Sequence, residues 1–267
     1  MQMQPQTADQ VFHITLEKLC HDYLPSRHPF FQKLAAFPSD QLRSSPLLSE
    51  LYFRYQAACH ATRVMAYHLP HLDTPALRTR KFKVLQDDDG LENGDAHHYQ
   101  LRRAFEHIGS PLMVQDEVFG GLDELQTVLD PVTAKFVTLV QTLYPQSLGA
   151  WCIVEGLADN WMKALMSSLS THFPTIQQEP YFAACFSQKI EERHAEDSRE
   201  MTQLVLARSP ALLAPTLQDA HKMAEGIDQL WSGLEQMLEQ GESETVYSRL
   251  AAQSFALTSL TRLSNPF

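Results

Sequence analysis

The segment Leu148-Gly-Ala-Trp-Cys-Ile-Val-Glu155-Gly-Leu-Ala-Asp-Asn-Trp161 belongs to a strongly apolar stretch that begins after Ser147 and continues to about Leu169. Its heptad-like apolar spacing predicts a helix in the core of a helical protein. The same spacing places Glu155 near that core. Because a buried carboxylate is costly unless it is paired or bound to a metal ion, Glu155 is a candidate functional residue.

The rest of the 267-residue chain also predicts helices, joined by short connections that contain proline. Only 10 glycines are present, and neither an alternating strand pattern nor a Gly-rich phosphate loop follows an apolar run, so parallel α/β folds are disfavoured. We predict an all-α bundle of seven or eight helices in one domain, residues 1–267. The other predicted helices run from 7 or 9 to about 23, then over about 47–68, 96–108, 131–143, 180–206, 214–240 and 243–263.

Composition excludes several function classes and indicates a compartment. The net charge is −11 and no Lys/Arg cluster is interleaved with aromatic residues, which argues against nucleic acid and anionic membrane surfaces as partners. The N-terminus lacks a basic and an apolar leader region, and no apolar run approaches the ~20 residues that span a bilayer. The absence of C-x-x-C argues against a thiolate zinc site or a disulfide framework. A cytoplasmic protein is therefore expected, and a homodimer is compatible with the sequence.

A Glu-x-x-His pair, Glu191 and His194, lies in the charged string from Gln188 to Asp197. In a helix, residues i and i+3 share one face, so this carboxylate and imidazole can hold one metal ion together. Charged helices also contain such pairs by chance on solvated faces. The pair gains weight only if further ligands lie elsewhere in the chain.

Two further candidates follow an acidic, turn-rich stretch at residues 86–95. Asp88 lies within it, and His98 begins the next predicted helix beside His97, of which only one is expected to face a pocket. Bundles hold iron or manganese with oxygen and nitrogen ligands from facing helices. The structural alternatives are a solvated turn for Asp88, an exposed helix start for His98, and a buried arginine or a backbone donor as the partner of Glu155.

In their order and separation, these segments resemble the heme-oxygenase-like diiron oxidases and oxygenases, a superfamily that includes thiaminase-II-like and pyrroloquinoline-quinone-synthase-like proteins. The matching pieces are the acidic stretch with His98, the central Leu148-Gly-Ala-Trp segment with Glu155, and Glu191-x-x-His194. The resemblance implies a heme-oxygenase-like bundle with a central pocket. It also implies a non-heme site for one or two iron ions, whose ligands would be Asp88, His98, Glu155, Glu191 and His194.

The chain departs from the family pattern at two ligand positions. A histidine expected one turn before Glu191 is replaced by Ser187, and the early-helix glutamate has only Gln56 or His60 in its region. Asp95 and Asp197 lie at helical spacing from His98 and His194, although acidic residues at helix ends are usually caps or solvent contacts.

The resemblance implies a non-heme iron oxidase or oxygenase that acts with O2 on a small organic molecule in the pocket, with Glu155 and Glu191 as the residues closest to the chemistry. One alternative is a metal-free enzyme of the thiaminase-like or quinone-synthase-like kind, in which Cys152, three residues before Glu155, would be the nucleophile. Another is a non-catalytic bundle that binds a small molecule.

Overall fold

The structure is a computed structural model that describes residues 7–90, 95–109, 129–187 and 189–240. Helices and short connections make up these ranges, and no strand occurs within them, which confirms the all-α prediction. Eight of the helices in the described ranges have eleven or more residues. In chain order the helices are α1 (Ala8–Asp22), α2 (Pro29–Ala36), α3 (Ser39–Ser44), α4 (Leu47–His60), α5 (Met65–His68), α6 (Pro75–Asp88), α7 (His97–His107), α8 (Pro131–Leu143), α9 (Leu148–Ser170), α10 (Pro180–Ser187), α11 (Ile190–Arg208) and α12 (Leu213–Gln240).

Several helix ends lie where the sequence places them. The Ser147 hydroxyl accepts a hydrogen bond from the Ala150 amide and so caps α9, as expected of serine at a helix start. After α7 the chain turns at Gly109, whose φ of +85° is in the left-handed region that glycine adopts without strain. The helix predicted over 243–263 lies outside the described residues.

The helix predicted over 180–206 is two helices, because Lys189 interrupts the helical backbone. This residue has a φ of +52° and precedes α11 as its N-cap. A left-handed residue cannot continue the hydrogen bonding of a right-handed helix, so α10 and α11 are separate helices. The break puts Glu191 in the first turn of α11. Hydrophobic spacing alone carries no signal for it.

Two other elements differ from the prediction near the site. The helix predicted over 47–68 ends as α4 at His60 and continues as a 3₁₀ turn, Ala61–Val64, before α5. The acidic stretch expected to be a turn begins inside a helix, since α6 extends through Asp87 and Asp88. Both aspartates are therefore held by helical backbone.

The core is built around α9, which packs against α1, α2, α11 and α12. Its first three turns are buried almost all round, including the fully buried Trp151 and Ile153. Such a helix belongs at the centre of a bundle. Within the described ranges, no helix has both the length and the apolar character needed to cross a membrane.

Candidate metal centre

The side chains of Glu155, Glu191 and His194 meet where the middle of α9 faces the first turns of α11. Each offers a ligand atom, and these three atoms all lie within 4.8 Å of one another. All three residues are buried, with exposed fractions of 4%, 6% and 2%. The cluster can hold a metal ion, because carboxylate and imidazole are suitable ligands for divalent cations.

His194 is held from both sides of its ring. Its Nε2 lies 2.9 Å from Oδ2 of Asp87 on α6, whereas its Nδ1 is 3.7 Å from Oε2 of Glu155 and 3.8 Å from Oε2 of Glu191. Nδ1 therefore faces the two glutamates, and Nε2 faces away from them. The sequence predicts no role for Asp87, although this residue belongs to the acidic stretch at residues 86–95.

Asp88 and the two histidines of α7 lie beside this cluster. The partner of Asp88 is His97, with Nδ1 3.3 Å from Oδ1, while the His98 ring contacts the Tyr99 ring at a centroid distance of 3.9 Å. Both histidines line the same cavity as Asp88, so the expectation that only one would face it does not describe this site. His98 stays a predicted ligand, and His97 is the residue that pairs with Asp88.

Burial and mutual proximity shift the pKa values of these groups. Burial raises the pKa of Glu155 to about 7, and the charge of Glu191 adds to the rise. Burial by itself lowers the pKa of His194, but the Asp87 hydrogen bond and the charges of both glutamates raise it to about 11. Likewise, Asp88 raises the pKa of His97 above its usual range against the effect of burial. The carboxylates thus create a strongly negative environment that favours cations.

Tyr144, at the end of α8, supports Glu155 directly, and Lys81 of α6 binds the backbone at that helix end. The sequence analysis assigns neither residue a role at the site. The Tyr144 hydroxyl donates a hydrogen bond to Oε1 of Glu155. The fully buried Lys81 donates from Nζ to the carbonyl oxygens of Tyr144 at 3.0 Å and Pro145 at 2.8 Å. Burial lowers the pKa of Lys81 to about 7. An isolated lysine in a charged segment carries no sequence signal for such a position.

A cavity opens onto the cluster and has an empty volume of about 710 Å³, including its opening to solvent. Its lining combines the carboxylates of Asp88, Glu155 and Glu191 with apolar side chains such as those of Val154 and Trp161. A mainly apolar pocket with a few convergent polar groups is typical of small-molecule sites. The other lining residues are Cys59, Thr62, Arg63, His97, His98, Leu101, Tyr144, Ala158, Met162 and Tyr181.

The substitute ligands considered from the sequence lie elsewhere or outside the described part. Asp95 is exposed and pairs with Arg103, and Asp197 pairs with Arg80. Gln56 is half-buried in α4. The side chains of His60 and Ser187 are outside the part of the chain that the structure describes.

The two cysteines near the site have different surroundings. Cys152 Sγ lies 3.3 Å from the Ser198 carbonyl oxygen and 3.1 Å from Thr202 Oγ1, and burial raises its pKa to about 11. Cys59 lines the cavity, and burial raises its pKa to about 12. A thiol with a raised pKa is a poor nucleophile, because the thiolate is the reactive form. The surroundings of Cys152 therefore do not support it as the nucleophile of the metal-free alternative.

The charge of the cluster fits a divalent cation. Four carboxylates, those of Asp87, Asp88, Glu155 and Glu191, surround the imidazoles of His97 and His194. With all four carboxylates ionised, the cluster is negative even when both imidazoles are protonated, and it is more negative when they are neutral. Buried charge of one sign is costly unless a counter-ion neutralises it, and a divalent cation at the three-residue cluster would do so.

Comparison with known proteins does not assign the chain to a family. No protein-family model matches the chain, and no curated protein sequence matches it.

Proposed function

We propose that the protein is a non-heme iron oxidase or oxygenase that acts on a small organic molecule in the cavity beside Glu155, Glu191 and His194. The observation that supports the proposal is the convergence of these three buried residues, two of which, Glu155 and Glu191, line that cavity. The resemblance of the sequence to the heme-oxygenase-like diiron proteins supports iron among the divalent metals. One iron ion would be held by the three converging residues, and Asp88 with a histidine of α7 would hold a second.

Bound iron would supply the ability to activate O2, which protein side chains lack. The residues of the chain supply the surroundings. Apolar side chains such as Val154 and Trp161 exclude water from one side of the bound molecule. The Tyr144 hydroxyl holds one oxygen of Glu155, which leaves the other, Oε2, directed at Nδ1 of His194.

Iron binding by purified protein tests the proposal, with a matched pair of variants on α11. Glu191→Gln removes a converging carboxylate, whereas Glu192→Gln changes the exposed neighbouring glutamate. After anaerobic Fe(II) loading and desalting, we expect at least one iron per wild-type and Glu192→Gln chain. Iron should be largely lost from the Glu191→Gln, Glu155→Ala and His194→Ala variants. Iron-dependent O2 consumption in the presence of candidate substrates would then establish the reaction class.

Two results would overturn the proposal. The first is a wild-type protein that takes up no Fe(II), which would favour the metal-free or non-catalytic alternatives. The second is equal uptake by wild type and the Glu155→Ala and His194→Ala variants, which would place the metal elsewhere. Circular dichroism of each variant checks that the helices are intact.

A metal-free enzyme is the second candidate, favoured by the pKa of Glu155. A cavity-lining carboxyl with a pKa of about 7 is suited to general acid–base catalysis without any metal. In that case the wild type would bind small molecules with no iron, and Glu155→Gln would abolish turnover while leaving binding intact.

A further inference from the structure

We propose that Asp87 is a positioning residue that directs Nδ1 of His194 at the metal position between Glu155 and Glu191. This inference rests on the proposed metal centre and names which ring nitrogen binds the metal. Asp87 was no candidate ligand in the sequence, and it has no place among the cavity-lining residues.

The two ring nitrogens of His194 have different neighbours. Oδ2 of Asp87 lies 2.9 Å from Nε2, within hydrogen-bond distance. An ionised carboxylate can only accept hydrogen bonds, so Nε2 must carry the proton. In the neutral imidazole the lone pair is then on Nδ1, the nitrogen that lies 3.7 and 3.8 Å from the two glutamates.

Burial makes this contact strong enough to fix the ring. The side chains of Asp87 and His194 are each 3% exposed, so solvent does not compete for the hydrogen bond. Histidines that bind metals usually donate their other ring N–H to a carboxylate or carbonyl, which sets the tautomer and increases ligand basicity. Asp87 stands in that relation to His194.

The helix end of α6 explains why Asp87 and Asp88 act differently. Successive residues on a helix point about 100° apart, since a turn contains about 3.6 residues. Asp87 therefore reaches across to α11, whereas Asp88 reaches His97 and the cavity. Asp89, the next residue, is 45% exposed and pairs with Arg63.

Two measurements test the assignment. The first is the histidine nitrogen spectrum of ¹⁵N-labelled protein loaded with Zn(II), a diamagnetic probe, with His194→Asn used to assign the signal. We expect His194 to show a protonated Nε2 and a metal-bound Nδ1. This readout uses the wild-type protein and does not depend on whether an Asp87 variant folds.

The second measurement is Co(II) affinity by titration of the visible absorption band. Asp87→Asn should weaken Co(II) binding about 10- to 100-fold, the usual effect of losing such a partner, while Asp89→Asn should leave it unchanged. Metal bound through Nε2, or equal affinity in the Asp87→Asn and wild-type proteins, would overturn the inference and leave the metal centre standing. A wild type that binds neither Zn(II) nor Co(II) would overturn the positioning role together with the metal centre.

Discussion

Single buried side chains carry much of the electrostatic character of this protein, and Lys81 is one of them. Its Nζ is enclosed between two backbone carbonyls at the end of α8 and the ring of Trp151, 5.0 Å away. The carbonyls are those left free by a helix C-terminus, where a cation is favourable. Burial nevertheless lowers the lysine pKa to about 7, so desolvation outweighs these contacts.

This lowered pKa predicts how the loss of folding stability caused by Lys81→Met changes with pH. Between about 7 and the usual lysine value near 10.5, the unfolded chain binds more protons than the folded protein, so Lys81 makes the folded protein more stable as pH rises. The methionine variant lacks this gain. Its destabilisation should therefore be larger at pH 9 than at pH 6, by on the order of 2 kcal/mol.

Urea unfolding at the two pH values measures the difference. The control is Lys222→Met, which removes a half-exposed lysine of α12 and should cost the same at both pH values. A Lys81→Met cost that is independent of pH would contradict a lysine that loses its proton near neutrality.

The sequence predicts those site residues whose chemistry stands out from their surroundings. Glu155 is visible as a carboxylate in an apolar helix, and Glu191 with His194 as a pair at helical spacing. Asp87 is no more conspicuous in sequence than Asp88 or Asp89, because only the direction of each side chain at the end of α6 separates their partners. That direction depends on tertiary packing.

At the scale of helices, the starts that carry a strong cap were predictable, whereas breaks set by packing were not. Pro131 marks the start of α8, and Ser147 marks the start of α9. At Lys189 the helix is interrupted without a glycine or proline to signal it in the sequence. A lysine adopts this left-handed conformation only when its surroundings impose it. The sequence does not predict the 3₁₀ turn after α4 either.

The caps of α8 and α9 differ in what else they bind, which gives a prediction at this scale. Oδ1 of Asp130 accepts hydrogen bonds from two amides of α8 at 3.0 and 3.1 Å, and Oδ2 lies 3.2 Å from Nε of the buried Arg54. Ser147 makes one cap bond of 3.3 Å. Asp130→Ala should therefore cost about 2–4 kcal/mol, since it removes a cap and a buried charge partner, against about 1 kcal/mol for Ser147→Ala.

Denaturant unfolding followed by circular dichroism gives both values. Asp130→Asn separates the two contributions, because asparagine keeps the cap acceptor and removes the charge. Its cost should lie between those of the two alanine variants. Equal costs for Asp130→Ala and Ser147→Ala would show that the contact with Arg54 adds nothing.

For the whole molecule, the all-α class followed from the spacing of apolar residues and the scarcity of glycine, but the arrangement of helices did not. Apolar spacing shows which face of a helix is buried and not which helix covers it. That α9 lies between α11 and α12 depends on side chains distant in sequence. One local feature does mark the contact with α12, a glycine in the first turn of α9.

At Gly149 the backbone of α12 lies directly against α9. This close approach gives a prediction for the whole molecule. A Cβ at Gly149 would lie 1.8 Å from the Thr216 carbonyl oxygen and 3.0 Å from the Ala220 amide nitrogen. Both are backbone atoms, so the helices themselves would have to separate. A Cβ at Gly156, two turns along the same helix, would meet only the flexible Cys20 side chain at 3.2 Å.

Alanine should therefore destabilise the protein at position 149 but not at position 156. Gly149→Ala should destabilise the protein by about 3 kcal/mol, an overpacking cost that exceeds the gain of up to about 1 kcal/mol in helix propensity. The melting temperature should fall by roughly 6–12 °C for a chain of this size. Gly156→Ala should leave it unchanged or raise it by a few degrees, because there the propensity gain meets little resistance. Equal melting temperatures for the two variants would mean that α9 and α12 are not in backbone contact at Gly149.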